Sequence, residues 1–365
     1  MSEEQKESKQ SKHLDIKKLL KSVLAFESSD LHLVVGSEPQ IRIDKELRAL
    51  NLPVLSAKDV ETMAYSLIED KNKKIFEEEL ELDFSFELKD IGRFRANYYR
   101  TVHGIACAFR MIPIEIPTLD AYGNPPVFKE LIKKEKGLIL VTGPTGSGKS
   151  TTLASMLHEV NLTERRHIIT IEDPVEFVHK NNKSLFSQRD VGSSTKSFAK
   201  ALKSSLRQDP DIILIGEMRD AETIGAALTA AETGHLVFGT LHTNSAPGTI
   251  NRIIDVFPGE EQPQVRAQLA SSLIAVISQT LIPKIKKGKV ATQEILITNP
   301  AIQNQIREDK VHQIYSQMQL NQQETFMTTQ TQQLLEFVTN GIITKDNAIK
   351  SSNRPDELVK MLANL

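Results

Sequence analysis

Cysteine is nearly absent from this sequence of 365 residues. Cys107 is the only one, which excludes a disulfide framework and a cysteine-built zinc site. It lies in Ile105-Ala106-Cys107-Ala108-Phe109, where a small buried hydrophobe is expected. Long apolar runs are missing too. None approaches the roughly 18 residues a membrane span needs, so none is predicted. No charge sign is in excess: 45 Lys and Arg face 47 Asp and Glu, for a net charge of −2. With no basic groove interleaved with aromatics, a nucleic-acid partner is not expected. Ser2–Lys12 is polar and charged, without the apolar core of a signal peptide. Residues 1–13 read as a disordered leader, and the protein as cytoplasmic. There is no internal repeat.

What is present divides into two patterns. Leu14–Phe26 has apolar residues at helical spacing opposite a lysine-rich face. A membrane-surface helix and a helix capping the first domain both fit, and the short length favours the second. Alternation around Leu31, Leu33 and Val35 predicts a strand, and Pro39–Leu47 a second. Lys58–Glu77 reads as one or two helices. Strands are expected at Asp83–Leu88, Arg93–Tyr99 and Ile105–Met111, joined by turns near Gly92 and Gly104. Residues 14–112 thus form an α+β domain with an antiparallel sheet. Prolines 113, 117, 125 and 126 mark a linker over 113–126. From Val127, strands alternate with helices, the signature of a parallel sheet. Its strands are expected at Leu138–Val141, His167–Ile171, Ile212–Ile215 and Leu236–Thr240. The core spans 127–295. Residues 296–365 are Gln-rich and helical in pattern, with no glycine between 289 and 340.

The chemistry centres on Gly143-Pro144-Thr145-Gly146-Ser147-Gly148-Lys149-Ser150, followed by Thr151. This fits G-x-x-x-x-G-K-[ST] between an apolar run and a helical pattern. The glycines let backbone N–H groups converge on phosphate oxygens, and the helix N-terminus adds partial positive charge. Lys149 reaches the outer phosphates and the Ser150 hydroxyl can ligate Mg²⁺. ATP is the expected ligand. A carboxylate partner is expected from Asp211-Ile212-Ile213-Leu214-Ile215-Gly216-Glu217, at the end of a buried strand. Gly216 stands where a metal-holding Asp is usual. Glu217 can polarise the attacking water or hold Mg²⁺ through water. A second acidic group, Glu172-Asp173-Pro174-Val175-Glu176, closes another strand. Glu172 is its water- or metal-facing candidate, and Glu176 is equally an ordinary loop residue. His235 and His242 bracket an apolar strand. Their odd spacing puts them on opposite faces of a regular strand, so they are not a metal pair. His242, at the C-terminal end, can contact the γ-phosphate. For His235 a structural role is as well supported as a site role. Arg93, Arg95, Arg100 and Arg110 lie on the hairpins of the first domain. From spacing alone they are a solvated face, although guanidinium groups also suit phosphate.

The sequences GPTGSGKST, TIEDPVE, DIILIGEMRD and TGHLVFGTLHTNSA, in this order, resemble the secretion-superfamily ATPases. Further matches are SDLHLVVGSEPQIRID, GRFRANYYR, LRQDPD and NRIIDVFP. Within that superfamily the chain looks like the type IV pilus twitching-motility (retraction) ATPases, from about residue 14 nearly to its end. The resemblance implies a homohexamer of subunits with a PAS-like N-terminal domain and a RecA-like P-loop domain carrying a helical C-terminal subdomain. It implies ATP and Mg²⁺ bound between domains and subunits. It implies an inner-membrane platform protein and a paralogous pilus ATPase as partners, with the protein peripheral to the membrane at the pilus base. It assigns phosphate and Mg²⁺ binding to Lys149 and Ser150, the acidic box to Glu172, the catalytic glutamate to Glu217 and the histidine box to His235 and His242. Arg95 and Arg110, and less clearly Arg93, become arginines acting across a subunit interface. The retraction motif AIRNLIRE stands here as Ala301-Ile302-Gln303-Asn304-Gln305-Ile306-Arg307-Glu308, which loses a charge at Gln303 and an apolar contact at Gln305. An accessory retraction paralogue is therefore the alternative. Assembly and secretion ATPases usually carry a four-cysteine zinc insertion, which one cysteine cannot supply. A RecA-like nucleic-acid translocase is more remote.

Overall fold

The structure, a computed structural model, describes residues 14–43, 46–112, 115–320 and 322–363. The expected leader over 1–13 lies outside these. The chain divides into two compact units at Glu115/Ile116.

The first unit is α+β, as its patterning predicts. It contains α1 (Ile16–Ala25), β1 (Asp30–Leu33), β2 (Gln40–Ile43), β3 (Glu46–Ala49), α2 (Ala57–Tyr65), α3 (Asp70–Glu79), β4 (Glu81–Leu88), β5 (Gly92–Thr101) and β6 (Gly104–Ile112). The strands form one antiparallel sheet in the order β3-β2-β1-β6-β5-β4. The single strand expected over 39–47 is instead two, paired with Ile43 opposite Glu46. Alternation separates the faces. Leu31, Leu33, Phe94, Tyr98 and Phe109 are buried in one core with Leu20 and Val23 of α1 and Phe76 of α3. The Tyr98 hydroxyl donates to the Ala64 carbonyl at 3.0 Å, so its polar end is satisfied. Helix α1 therefore spends its apolar stripe on this core. Cys107 is buried here, and burial pushes its thiol well above the ordinary range.

The second unit is built on a seven-stranded sheet. In chain order it has α4 (Val127–Leu131), β7 (Gly137–Thr142), α5 (Lys149–Thr163), β8 (His167–Glu172), β9 (Leu185–Asp190), α6 (Phe198–Ser205), β10 (Ile212–Ile215), α7 (Ala221–Glu232), β11 (Leu236–Leu241), α8 (Ala246–Asp255), α9 (Gln262–Ser272), β12 (Leu273–Pro283) and β13 (Lys289–Ile297). Helices α10 (Pro300–Arg307), α11 (Ile314–Met318), α12 (Gln322–Thr325), α13 (Gln330–Thr339), α14 (Lys345–Ser351) and α15 (Pro355–Leu362) follow. The strand order is β13-β12-β7-β11-β10-β8-β9, parallel except for β12 against β13. Strand β7 is buried on both faces, as a covered parallel sheet requires. Leu138 and Leu140 join the core beneath α7, α8 and α9, while Ile139 and Val141 join the core beneath α4 and α5. Leu119, inside the proline-marked stretch, is buried in that second core beside Phe128. Helices α13, α14 and α15 close a small core of their own over Ile282. No described helix is long and apolar enough to cross a membrane.

Candidate nucleotide site

The phosphate loop leaves β7 and enters α5, as the motif requires. All three of its glycines have positive φ, 141° at Gly143, 77° at Gly146 and 88° at Gly148. Gly148 also caps α5, so the first N–H groups of that helix open toward the loop. Side chains would fill this cradle. A Cβ on Gly148 would stand 2.7 Å from the Tyr122 hydroxyl, and one on Gly143 would meet the Gln279 carbonyl. Lys149 curls over the loop and donates to the Gly143 and Pro144 carbonyls at 2.8 and 3.1 Å. Burial lowers its pKa, while Glu217 and Glu176 work to raise it. The Ser147 hydroxyl oxygen is buried without a partner. A phosphate is the kind of group that satisfies such an oxygen and draws Lys149 off the carbonyls. The residues present therefore fit the polyphosphate of a nucleotide.

The sheet order explains what stands beside the loop. Strand β11 lies between β7 and β10, and β8 lies beyond β10, so the C-terminal ends of β11, β10 and β8 deliver His242, Glu217 and Glu172 in turn. Gly216 makes this close approach possible. Its N–H donates to the Ile171 carbonyl at 2.7 Å, and a Cβ there would press on Glu172 Cα at 3.1 Å. Glycine where an aspartate is usual thus lets the Glu172 backbone pack against the end of β10.

Glu217 is held from two sides. His242 Nε2 lies 3.0 Å from Oε1, and Arg219 Nη2 donates to Oε2 at 2.6 Å, with a second contact from Arg219 Nε. Burial acts to raise the Glu217 pKa, but Arg219 and His242 outweigh it and hold the carboxyl below its ordinary value. Glu172 goes the other way. Desolvation pushes it up to about 7, although the Thr170 hydroxyl donates to Oε1 at 2.6 Å and works to lower it. Glu172, Ser150, Gly216, Thr240 and His179 line a cavity of about 30 Å³, room for a water. A larger cavity of about 660 Å³ lies on the other flank, lined by Tyr122, Asn124, Leu281, Lys284 and Lys289 among others.

Of the expected site residues, Lys149, Ser150, Thr151, Glu172, Glu217 and His242 are brought to one end of the sheet. His235 is not. It precedes β11 at the opposite end, where its Nδ1 lies 3.0 Å from the Ala230 carbonyl at the close of α7. Arg95 and Arg110 are direct cross-strand neighbours in the first unit, with Arg93 on the same face. Arg110 pairs with Asp30 at 2.8 Å and Arg95 lies 3.7 Å from Asp83. Sequence reasoning missed Arg219, whose only signal is its place two residues after Glu217. It also missed Gln279, which sits in no motif and is 0% exposed behind the loop.

Comparison with known proteins extends the match beyond the site. Residues 4–347 match the family described as Type II/IV secretion system protein. The chain is 52% identical to the type IV pilus retraction ATPase PilT of Pseudomonas aeruginosa, over 94% of this chain and 99% of that protein. It is 50% identical to a twitching motility protein of Neisseria gonorrhoeae, over 88% of this chain and 86% of that one. Among solved structures, that of the pilus retraction motor PilT with bound ADP superposes with a TM-score of 0.90 at 48% identity, covering 95% of this chain and all of that one.

Proposed function

The chain belongs to the Type II/IV secretion system protein family and is an ATPase of the pilus-retraction type; from this premise we propose that it works as a homohexameric motor that hydrolyses ATP to withdraw pilin from the pilus base. The observation that carries the assignment of roles is the row Lys149, His242, Glu217, Glu172 across adjacent strand ends. The loop amides, Lys149 and Ser150 hold the phosphates. Ser150 would ligate Mg²⁺, and Glu217 could hold it through water; the ion would neutralise phosphate charge. Glu217, kept ionised beside the Arg219 guanidinium, orients and polarises the attacking water. His242 lies between the loop strand and Glu217, placed to register whether a γ-phosphate is there. Arg95 and Arg110, with Arg93, reach the phosphates of a neighbouring subunit. The force passes to an inner-membrane platform protein, with a paralogous ATPase as a second partner and the cytoplasmic face of the inner membrane as the place of work.

The test is turnover by purified protein with Mg²⁺ and ATP. Lys149→Ala is expected to abolish it. Glu217→Ala is expected to keep nucleotide binding and lose hydrolysis, and normal turnover by that variant removes Glu217 from its role. In the cell, deleting the gene is expected to leave more numerous pili that do not retract. Loss of pili altogether would point to assembly instead.

A further inference from the structure

Two glutamines are buried behind the phosphate loop, where an amide is costly unless each of its groups is bonded. Gln279 of β12 and Gln293 of β13 face each other in register and are 0% and 3% exposed. Gln279 Nε2 donates to the Ser147 carbonyl inside the loop at 2.7 Å. Its Oε1 accepts from the Thr152 hydroxyl in the first turn of α5 at 2.8 Å, and from Gln293 Nε2 at 3.1 Å. One side chain therefore grips the loop and the helix that follows it. Neither an ionised glutamate nor methionine, each without a donor, could do both.

The chain of bonds continues outward. Gln293 Nε2 also donates to Asn124 Oδ1 at 2.9 Å, and the Gln293 backbone N–H donates to Gln333 Oε1 of α13. The next residue, Glu294, accepts from the Ala246 N–H at the start of α8 at 2.8 Å and from the Gln330 N–H at the start of α13 at 3.4 Å. Helix α8 begins four residues after His242. The first turn of α13 is thus tied through adjacent residues of β13 to the phosphate loop and to the segment that carries His242.

We propose that Gln279 is a positioning residue for the phosphate loop and that, through Gln293, it couples the loop to helix α13 of the C-terminal helical segment. A loop that shifts to enclose phosphates moves the Ser147 carbonyl, and the bonds to Gln279, Gln293 and Gln333 share the displacement. Coupling of binding is reciprocal, so a change at α13 alters nucleotide affinity as nucleotide alters α13. This rests on the nucleotide reading of the loop.

The experiment is fluorescence titration of the purified protein with mant-ADP, for the wild type, Gln279→Met, Gln333→Met and the double variant. Gln279→Met is expected to weaken affinity by about tenfold. Gln333→Met, which touches no part of the loop, is expected to weaken it by about threefold. The double variant is expected to be no weaker than Gln279→Met alone, because both break one chain. Wild-type affinity in Gln333→Met, or fully additive losses, overturns the coupling. Wild-type affinity in Gln279→Met overturns the positioning role. A merely structural role would lower the melting temperature and leave the affinity of the folded protein unchanged. Should Gln279→Met not fold, Gln279→Leu, close in size and without a donor to Ser147, is expected to weaken binding likewise. Failure of the wild type itself to bind mant-ADP would strike the nucleotide reading and not the coupling.

Discussion

At the scale of single residues, the two glutamates of the site are driven apart by their neighbours. Desolvation raises Glu172 to about 7, while Arg219 and His242 keep Glu217 below its ordinary value. The proposed roles agree with such a split: the ionised Glu217 suits water activation, and Glu172 can exchange a proton near neutral pH. His179 gives a stability test in the same region. Its ring stacks on Phe186 at 4.3 Å, and burial lowers its pKa to about 4, helped by His158. A histidine depressed on folding contributes stability above its unfolded pKa of about 6.5 and loses it as pH falls toward 4. His179→Gln is expected to flatten the fall in unfolding free energy over that window by up to about 3 kcal/mol, read by urea denaturation at several pH values. An unchanged slope would show that the ring titrates normally. Gln305 is a second case. Its Oε1 is buried without a partner in α10, at the place where the retraction motif has leucine. Removing an unsatisfied buried acceptor recovers about 1–3 kcal/mol, so Gln305→Leu is expected to raise the melting temperature.

At the scale of elements, the loop and its strands were open to reading because their signals are local. An apolar run, a glycine pattern and a following helix lie together in the sequence, and each parallel strand expected from such a run is present. Strands β9, β12 and β13 were not legible. Strand β9 is a sheet edge with the polar sequence Leu185-Phe186-Ser187-Gln188-Arg189-Asp190, lacking the apolar run of a covered strand. Strand β12 starts at Leu273, directly after α9 ends at Ser272, with no glycine or proline to mark the change. The seat of Gln279, and with it the back wall of the loop, was invisible for that reason. The loop glycines give an element-level prediction. Gly148→Ala would press on Tyr122 Oη and on Gln279 Nε2, 2.8 Å from the new Cβ, whereas Gly146 has nothing within 4 Å. Gly146→Ala carries only the strain of a left-handed alanine, about 1 kcal/mol. Gly148→Ala is therefore expected to lose about tenfold or more in mant-ADP affinity and Gly146→Ala much less. Equal losses would mean that backbone freedom alone, and not the fit against Tyr122 and Gln279, sets the loop.

At the scale of the molecule, the residues proposed for the chemistry fall in two units that the chain joins near Glu115. The second carries the loop and its acids. The first carries Arg95 and Arg110 side by side on an antiparallel sheet, each now beside an aspartate of its own unit. If these arginines serve a neighbour's phosphates in a closed ring, each working site needs Lys149 from one subunit and the arginines from another. This can be separated from action within one subunit. Lys149→Ala keeps the arginines and loses the site, while the Arg95→Ala, Arg110→Ala double variant keeps the site and loses the arginines. Each alone is expected to be inactive. In an equal mixture allowed to form mixed rings, about a quarter of the interfaces pair an intact site with intact arginines, so ATPase activity of that order should return. Arginines acting on their own subunit would restore nothing, because no subunit in the mixture carries both. The same mixture, followed by light scattering, shows whether rings form, and a monomer in the presence of nucleotide would leave the arginines no neighbour to serve.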